Sequence, residues 1–133
     1  MSIATILLIA VGAAIGAPVR FVAERRLLGS WPRGTLLVNA AGSLLLGLLV
    51  GYAIAQPAQP TSLLALVGTG FCGALTTFGG FAAQTLDLIA IPSAVPTLAA
   101  RILGPLRRAL AYSLGSLTLC LLLAWIGFTA TSR

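Results

Sequence analysis

Neither histidine nor lysine occurs in this chain of 133 residues, and its acids are reduced to Glu24 and Asp87. Without histidine the commonest general base and metal ligand is missing, and no nucleophile has a base beside it, so the chain reads as something other than an enzyme. The formal net charge is +6, yet the arginines form no cluster with interleaved aromatics, which argues against a nucleic-acid partner. Two cysteines, Cys72 and Cys120, both inside apolar runs, make no disulfide framework. Charged residues are 8% of the chain, against about 25% in soluble domains, and this excludes a water-soluble globular fold.

What is present is apolar sequence, with 59% hydrophobic residues and a mean hydropathy of +1.07. Four runs, residues 3–22, 35–55, 61–88 and 109–128, reach the roughly 20 residues that a helix needs to cross a hydrocarbon core. The expected fold is an all-α membrane protein, a single four-span domain over residues 1–133 with no second core. The first run has no arginine before it and continues to Arg20, past signal-peptide length, so it is read as a mature helix. Four spans place both termini and the 56–60 connection on one side. Arg20, Arg25, Arg26, Arg33, Arg101, Arg107 and Arg108 flank the other two connections, with Arg133 alone opposite, so the positive-inside rule sets both termini outside the cytoplasm.

Small residues at Gly12 and Gly16, at Gly47 and Gly51, and at Gly68, Gly70 and Gly73 predict close helix packing. The third run is broken by GFCGALTTFGGF at residues 70–81. Main chain unwound there, around Gly73 and Thr76, must be buried in protein, hold an ion or line a polar path. Its freed carbonyls suit a hard cation such as Na⁺, and a glycine hinge without a ligand fits the same residues. Polar residues recur at intervals of four on two other runs: Thr35, Asn39 and Ser43, then Tyr112, Ser116 and Cys120. Such stripes suit bonds between helices as well as a pore lining. As a lining they offer the Asn39 amide, the hydroxyls of Thr35, Ser43, Tyr112 and Ser116, and the positive ring edges of Phe78 and Phe81. Donors without a carboxylate suit a small anion.

The motifs GAAIGAPVR (residues 12–20), GTLLVNAAGSLLLG (residues 34–47) and GFCGALTTFGGF (residues 70–81) together resemble the small bacterial fluoride channels of the Fluc or CrcB type, with a likeness covering all four spans in order. The resemblance implies an antiparallel (inverted) dimer with two pores in the bacterial inner membrane, through which fluoride leaves the cytoplasm passively and its toxicity falls. It also implies a structural Na⁺ at the dimer centre, not transported, for which this chain's ligands are the main-chain oxygens of Gly73 and Thr76. By motif position, Phe78 and Phe81 are the pore phenylalanines and Asn39 is the pore asparagine, with Thr35 one turn earlier. Tyr112 and Ser116 belong to the polar track of the fourth helix, and Arg20 lies near the aqueous vestibule.

The chain departs from that family pattern at three places. Where TTFSTF is usual it reads TTFGGF, so Gly79 and Gly80 replace a serine and a threonine, and Gln84 stands where a glutamate is common. An antiparallel homodimer asks each chain to insert both ways, which the arginine bias opposes. The expectation is therefore a heterodimer with a homologous subunit of opposite orientation, one of its pores being degenerate, in preference to a homodimer. A weakly conducting or non-conducting assembly subunit is the alternative. A small multidrug exporter, also built from four short helices, needs a glutamate in the first span, and residues 3–22 contain none.

Overall fold

Main chain inside hydrocarbon has to bond to itself, and each apolar run accordingly becomes helix. The computed structural model describes residues 2–27, 29, 31–56, 61–90 and 98–133, and contains four helical spans of sufficient length and hydropathy among them. Helix α1 is Ile3–Arg26 and α2 is Arg33–Ala55. The third span, Thr61–Ile89, comes in two pieces: α3 covers residues 61–75 and α4 is Phe78–Ile89. The last helix, α5, is Leu98–Thr131. The connections at 57–60 and 91–97, and the side chain of Arg101, lie outside the described residues, and with them part of the expected charge pattern.

The helices outrun the apolar stretches at the arginine-bearing ends. Helix α1 continues through Arg25 and Arg26, where two cations in the last turn oppose the negative end of the helix dipole. Helix α5 starts at Leu98, well before the expected residue 109. Its 34 residues span about 50 Å, more than the roughly 30 Å hydrocarbon thickness, so its first turns extend beyond the core. Arginine is a good helix former whose long stem lets the cation reach the headgroups, and a hydropathy boundary therefore underestimates the helix.

Packing is inside out relative to a soluble bundle. The buried set is small or polar (Val38, Ala40, Ala65, Cys72, Ala109, Thr35 and Ser116, with Leu75 and Tyr112 the larger members), while long apolar side chains such as Leu121 and Ile3 point outward. Lipid supplies no hydrophobic drive between helices, so close backbone approach has to provide the contact. Two of the expected glycine pairs do this. A Cβ on Gly12 or Gly16 would collide with the Leu66 and Phe71 carbonyls of α3, and one on Gly47 or Gly51 with the Ala124 and Phe128 carbonyls of α5. Gly73 differs, since a Cβ there meets nothing within 4 Å.

The break lies slightly later than the sequence suggests. Gly73 is helical (φ −62°, ψ −35°), and its N–H bonds to the Gly68 and Gly70 carbonyls at the end of a stretch of widened, π-type turns, Leu64–Cys72. The extended residues are Thr76 (φ −81°, ψ 152°) and Thr77 (φ −147°, ψ 124°). The physical cause is capping. Thr77 Oγ1 accepts from Gly80 N–H at 3.0 Å and starts α4, and an N-cap requires extended backbone at the capping residue. Two threonines, and no glycine, form the break itself.

Candidate functional site

A cavity of about 300 Å³ opens beside the break, lined by Asn39, Ser43, Thr76, Thr77, Phe78, Phe81 and Ser116 among others, with no charged side chain in its lining. A second cavity of similar size, about 310 Å³, lies toward the arginine-bearing end and includes Glu24, Trp31, Thr35, Gln84 and Asp87. The α2 stripe joins them, with Thr35 on the second cavity and Asn39 and Ser43 on the first. Ser116 faces the first from α5, so the two expected polar stripes do meet across one space. Tyr112 stands buried between, at 2% exposure.

Much of the expected donor set is already engaged inside the chain. Thr35 Oγ1 donates to Glu24 Oε1 at 3.1 Å, and Tyr112 Oη donates to Gln84 Oε1 at 3.2 Å. Asn39 Oδ1 accepts from Thr77 N–H at 2.8 Å while its Nδ2 donates to Thr77 C=O at 3.2 Å, which leaves one amide hydrogen unassigned. Ser43 and Ser116 are different. Among the described residues neither hydroxyl is bonded to another residue, and both line the first cavity. These two are the donors most open to a ligand.

Aromatic rings extend along the same route. Phe78 and Phe81 lie 5.9 Å apart, Phe81 and Tyr112 5.6 Å, and Trp31 meets Tyr112 edge-on at 6.2 Å. Ring edges carry positive quadrupole charge, so they present to an anion what their faces do not. Phe78 is 79% exposed, uncovered by its own chain. Helix α4 begins at this cavity, and the positive end of a helix dipole favours an anion there.

The main-chain oxygens expected to hold Na⁺ fit that role in part. Because Thr77 N–H goes to Asn39, Gly73 C=O loses its ordinary helical partner four residues on. Thr76 C=O accepts from Arg20 Nη1 at 3.5 Å, a long contact that leaves a second lone pair. Two oxygens are fewer than the six or so that hard cations such as Ca²⁺ and Mg²⁺ collect, so one chain alone makes an incomplete site. Arg20 itself therefore sits against the break.

Several participants were not singled out from sequence. Glu24 follows Arg20 by four residues and so shares its face of α1, a signal that could have placed it here. Thr77 lies in the TTF motif but had no role assigned to it, and Trp31 carried no such signal. The two unusual glycines also separate: a Cβ on Gly79 meets only Thr77 Oγ1 at 4.0 Å, whereas one on Gly80 comes within 2.9 Å of Thr77 Cγ2. Gly79→Ser should therefore leave thermal stability close to that of the unmodified chain. Gly80→Thr should lower it by about 1 kcal/mol, the scale of a lost N-cap, because Thr77 must rotate away from the Gly80 amide. Thermal melts in detergent compare them directly, and equal loss from both would contradict the cap assignment.

The chain is also similar in sequence to known proteins. Residues 7–128 match the family described as "CrcB-like protein, Camphor Resistance (CrcB)". A fluoride-specific ion channel FluC 2 of Rhodococcus jostii is 38% identical over 130 residues, covering 96% of this chain and 99% of that protein. One of the same name from Moorella thermoacetica is 42% identical over 123 residues, 90% of this chain and 89% of that protein. A fluoride-specific ion channel FluC of Azotobacter vinelandii is 40% identical over 107 residues, 75% and 86% of the two chains. Four membrane spans, the broken third one and a family match from the first span to the last lead to one conclusion: this multi-pass membrane protein belongs to the CrcB family.

Proposed function

We propose that the chain is a subunit of a fluoride-selective channel that lets fluoride leave the cytoplasm passively. The observation that carries this reading is the uncharged cavity beside the break, where the Ser43 and Ser116 hydroxyls have no described protein partner and the Phe78 and Phe81 rings complete the wall. A small, strongly hydrated anion enters such a path only if donors replace its water, and these groups do so without a carboxylate to repel it. The relatives named fluoride-specific channels support the same ion.

The assembly we propose is an antiparallel dimer. Gly73 and Phe78 present an uncovered surface at the break, and the Gly73 and Thr76 oxygens would complete a structural Na⁺ site only with oxygens from a second subunit. Bound there, the ion would be coordinated by the lone pairs of these two carbonyl oxygens and would occupy the acceptor that Gly73 C=O has left over. The arginine bias favours a homologous partner of opposite orientation over a second copy, with both termini of this chain outside. A weakly conducting assembly role is the second reading. It is favoured by the engaged Thr35 and Tyr112 hydroxyls and by the glycines at positions 79 and 80.

Reporters active in only one compartment, fused to each terminus, should place every molecule in a single orientation, and a mixed population would restore the homodimer. In a fluoride-sensitive bacterial strain the chain should protect fully only alongside an oppositely inserted homologue. Full protection by this chain alone would refute the heterodimer, and no protection in either case would refute the channel reading.

A further inference from the structure

The two extended residues of the break pose a problem of main-chain accounting. Thr76 N–H still bonds helically to Cys72 C=O at 3.0 Å, and Thr76 C=O has Arg20. Thr77 N–H has no helical partner, whereas Thr77 C=O, at the N-cap, stands where the ladder of α4 begins; at membrane depth an unpaired N–H is strongly unfavourable. A single side chain meets that N–H and also bonds the C=O. The carboxamide of Asn39 accepts from Thr77 N–H and donates to Thr77 C=O, as a neighbouring strand residue would. Its orientation is fixed by the pairing, since only Oδ1 can accept from an N–H.

The approach of α2 to the break rests on a second residue. Gly42 lies three positions after Asn39 and therefore on the same face of α2. A Cβ at Gly42 would collide with the Thr76 Cγ2 methyl, so any larger residue there forces the Thr76 side chain to shift beside the point where Asn39 reaches Thr77. Thr77 in turn caps α4 through Gly80, and α4 carries Phe78 and Phe81. A contact made by α2 thus bears on where these two rings stand.

From this geometry we infer that Asn39 is a positioning residue: its amide clamps the main chain of Thr77 and holds the third span in its broken form, with Gly42 leaving room for the Thr76 side chain beside the clamp. Any hydrogen bond from Asn39 to the ion is limited to the one remaining N–H. The inference deepens the fluoride-channel reading and rests on it for its effect on flux, while the clamp itself can be tested without any flux.

The test is residue-resolved amide hydrogen exchange on the full chain in lipid nanodiscs, paired with fluoride efflux from liposomes. In the unmodified chain Thr77 N–H should exchange slowly although Thr77 is not helical, and unprotected exchange there overturns the clamp. In Asn39→Ser, which keeps a hydroxyl at the cavity but cannot bridge both groups, Thr77 exchange should rise about tenfold or more. Gly42→Ala should raise it similarly while retaining the Asn39 amide, and both variants should lose fluoride flux. Unchanged Thr77 exchange in the two variants, whatever their flux, would overturn the inference and leave Asn39 as an ion donor alone. If the unmodified chain passes no fluoride, the channel reading fails and the exchange result still decides the clamp.

Discussion

Gly12→Val and Gly47→Leu are each expected to eliminate the folded bundle. The new side chains start from a Cβ that already overlaps main chain: the Leu66 carbonyl and the Phe71 nitrogen, the latter at 2.7 Å, for Gly12, and the Ala124 carbonyl for Gly47. Overpacking against movable side chains typically costs about 1–3 kcal/mol. Here the obstacle is the backbone of a packed helix, which cannot rotate away, so the cost should exceed that range and consume much of a typical stability of about 5–15 kcal/mol. Size-exclusion profiles after mild detergent extraction provide the readout, with loss of the monodisperse peak expected for both. Gly73→Ala is the matched control. Its Cβ meets nothing within 4 Å, so the chain should still fold, and any defect should appear in the proposed assembly with a partner.

The double variant Ser43→Ala with Ser116→Ala is expected to reduce fluoride flux on the order of a hundredfold while leaving the melting temperature nearly unchanged. A hydrogen bond to a charged group contributes about 1.5–3 kcal/mol, and about 1.4 kcal/mol corresponds to a tenfold change, so two such donors account for that fall. Stability should hold because neither hydroxyl is bonded to another described residue. Thr35→Val should behave in the opposite way. Its hydroxyl donates to Glu24, so stability should drop as the carboxylate loses a donor, and the first cavity should keep its lining. Equal flux loss from Thr35→Val and from the serine pair would show that the engaged and open hydroxyls are not distinct.

Much of this architecture was legible in the sequence because the membrane reduces the choices. Runs of about 20 apolar residues have to be helices, and glycine pairs four apart have to lie on one face, so the spans and the close packing at Gly12, Gly16, Gly47 and Gly51 follow from pattern alone. The third span also declared itself as broken. Its exact point of rupture did not, because glycine tolerates helix as readily as it leaves it. The deciding event is a threonine cap whose partner, Gly80, gives no sign of that role in the sequence. The state of the donors was equally hidden. Thr35, Asn39, Ser43 and Tyr112 look alike as polar residues on helical stripes, yet three of the four are committed to Glu24, Thr77 and Gln84. Such pairings join residues far apart in the chain, and periodicity within one helix carries no information about them.

Ion-selective electrodes applied to liposomes holding the purified chain, alone and reconstituted with an oppositely inserted homologue, test the central claim most directly. Fluoride should be released on dissipating the opposing potential while chloride stays inside, with the larger release from the paired preparation. Comparable chloride release, or retention of fluoride by both preparations, would contradict it.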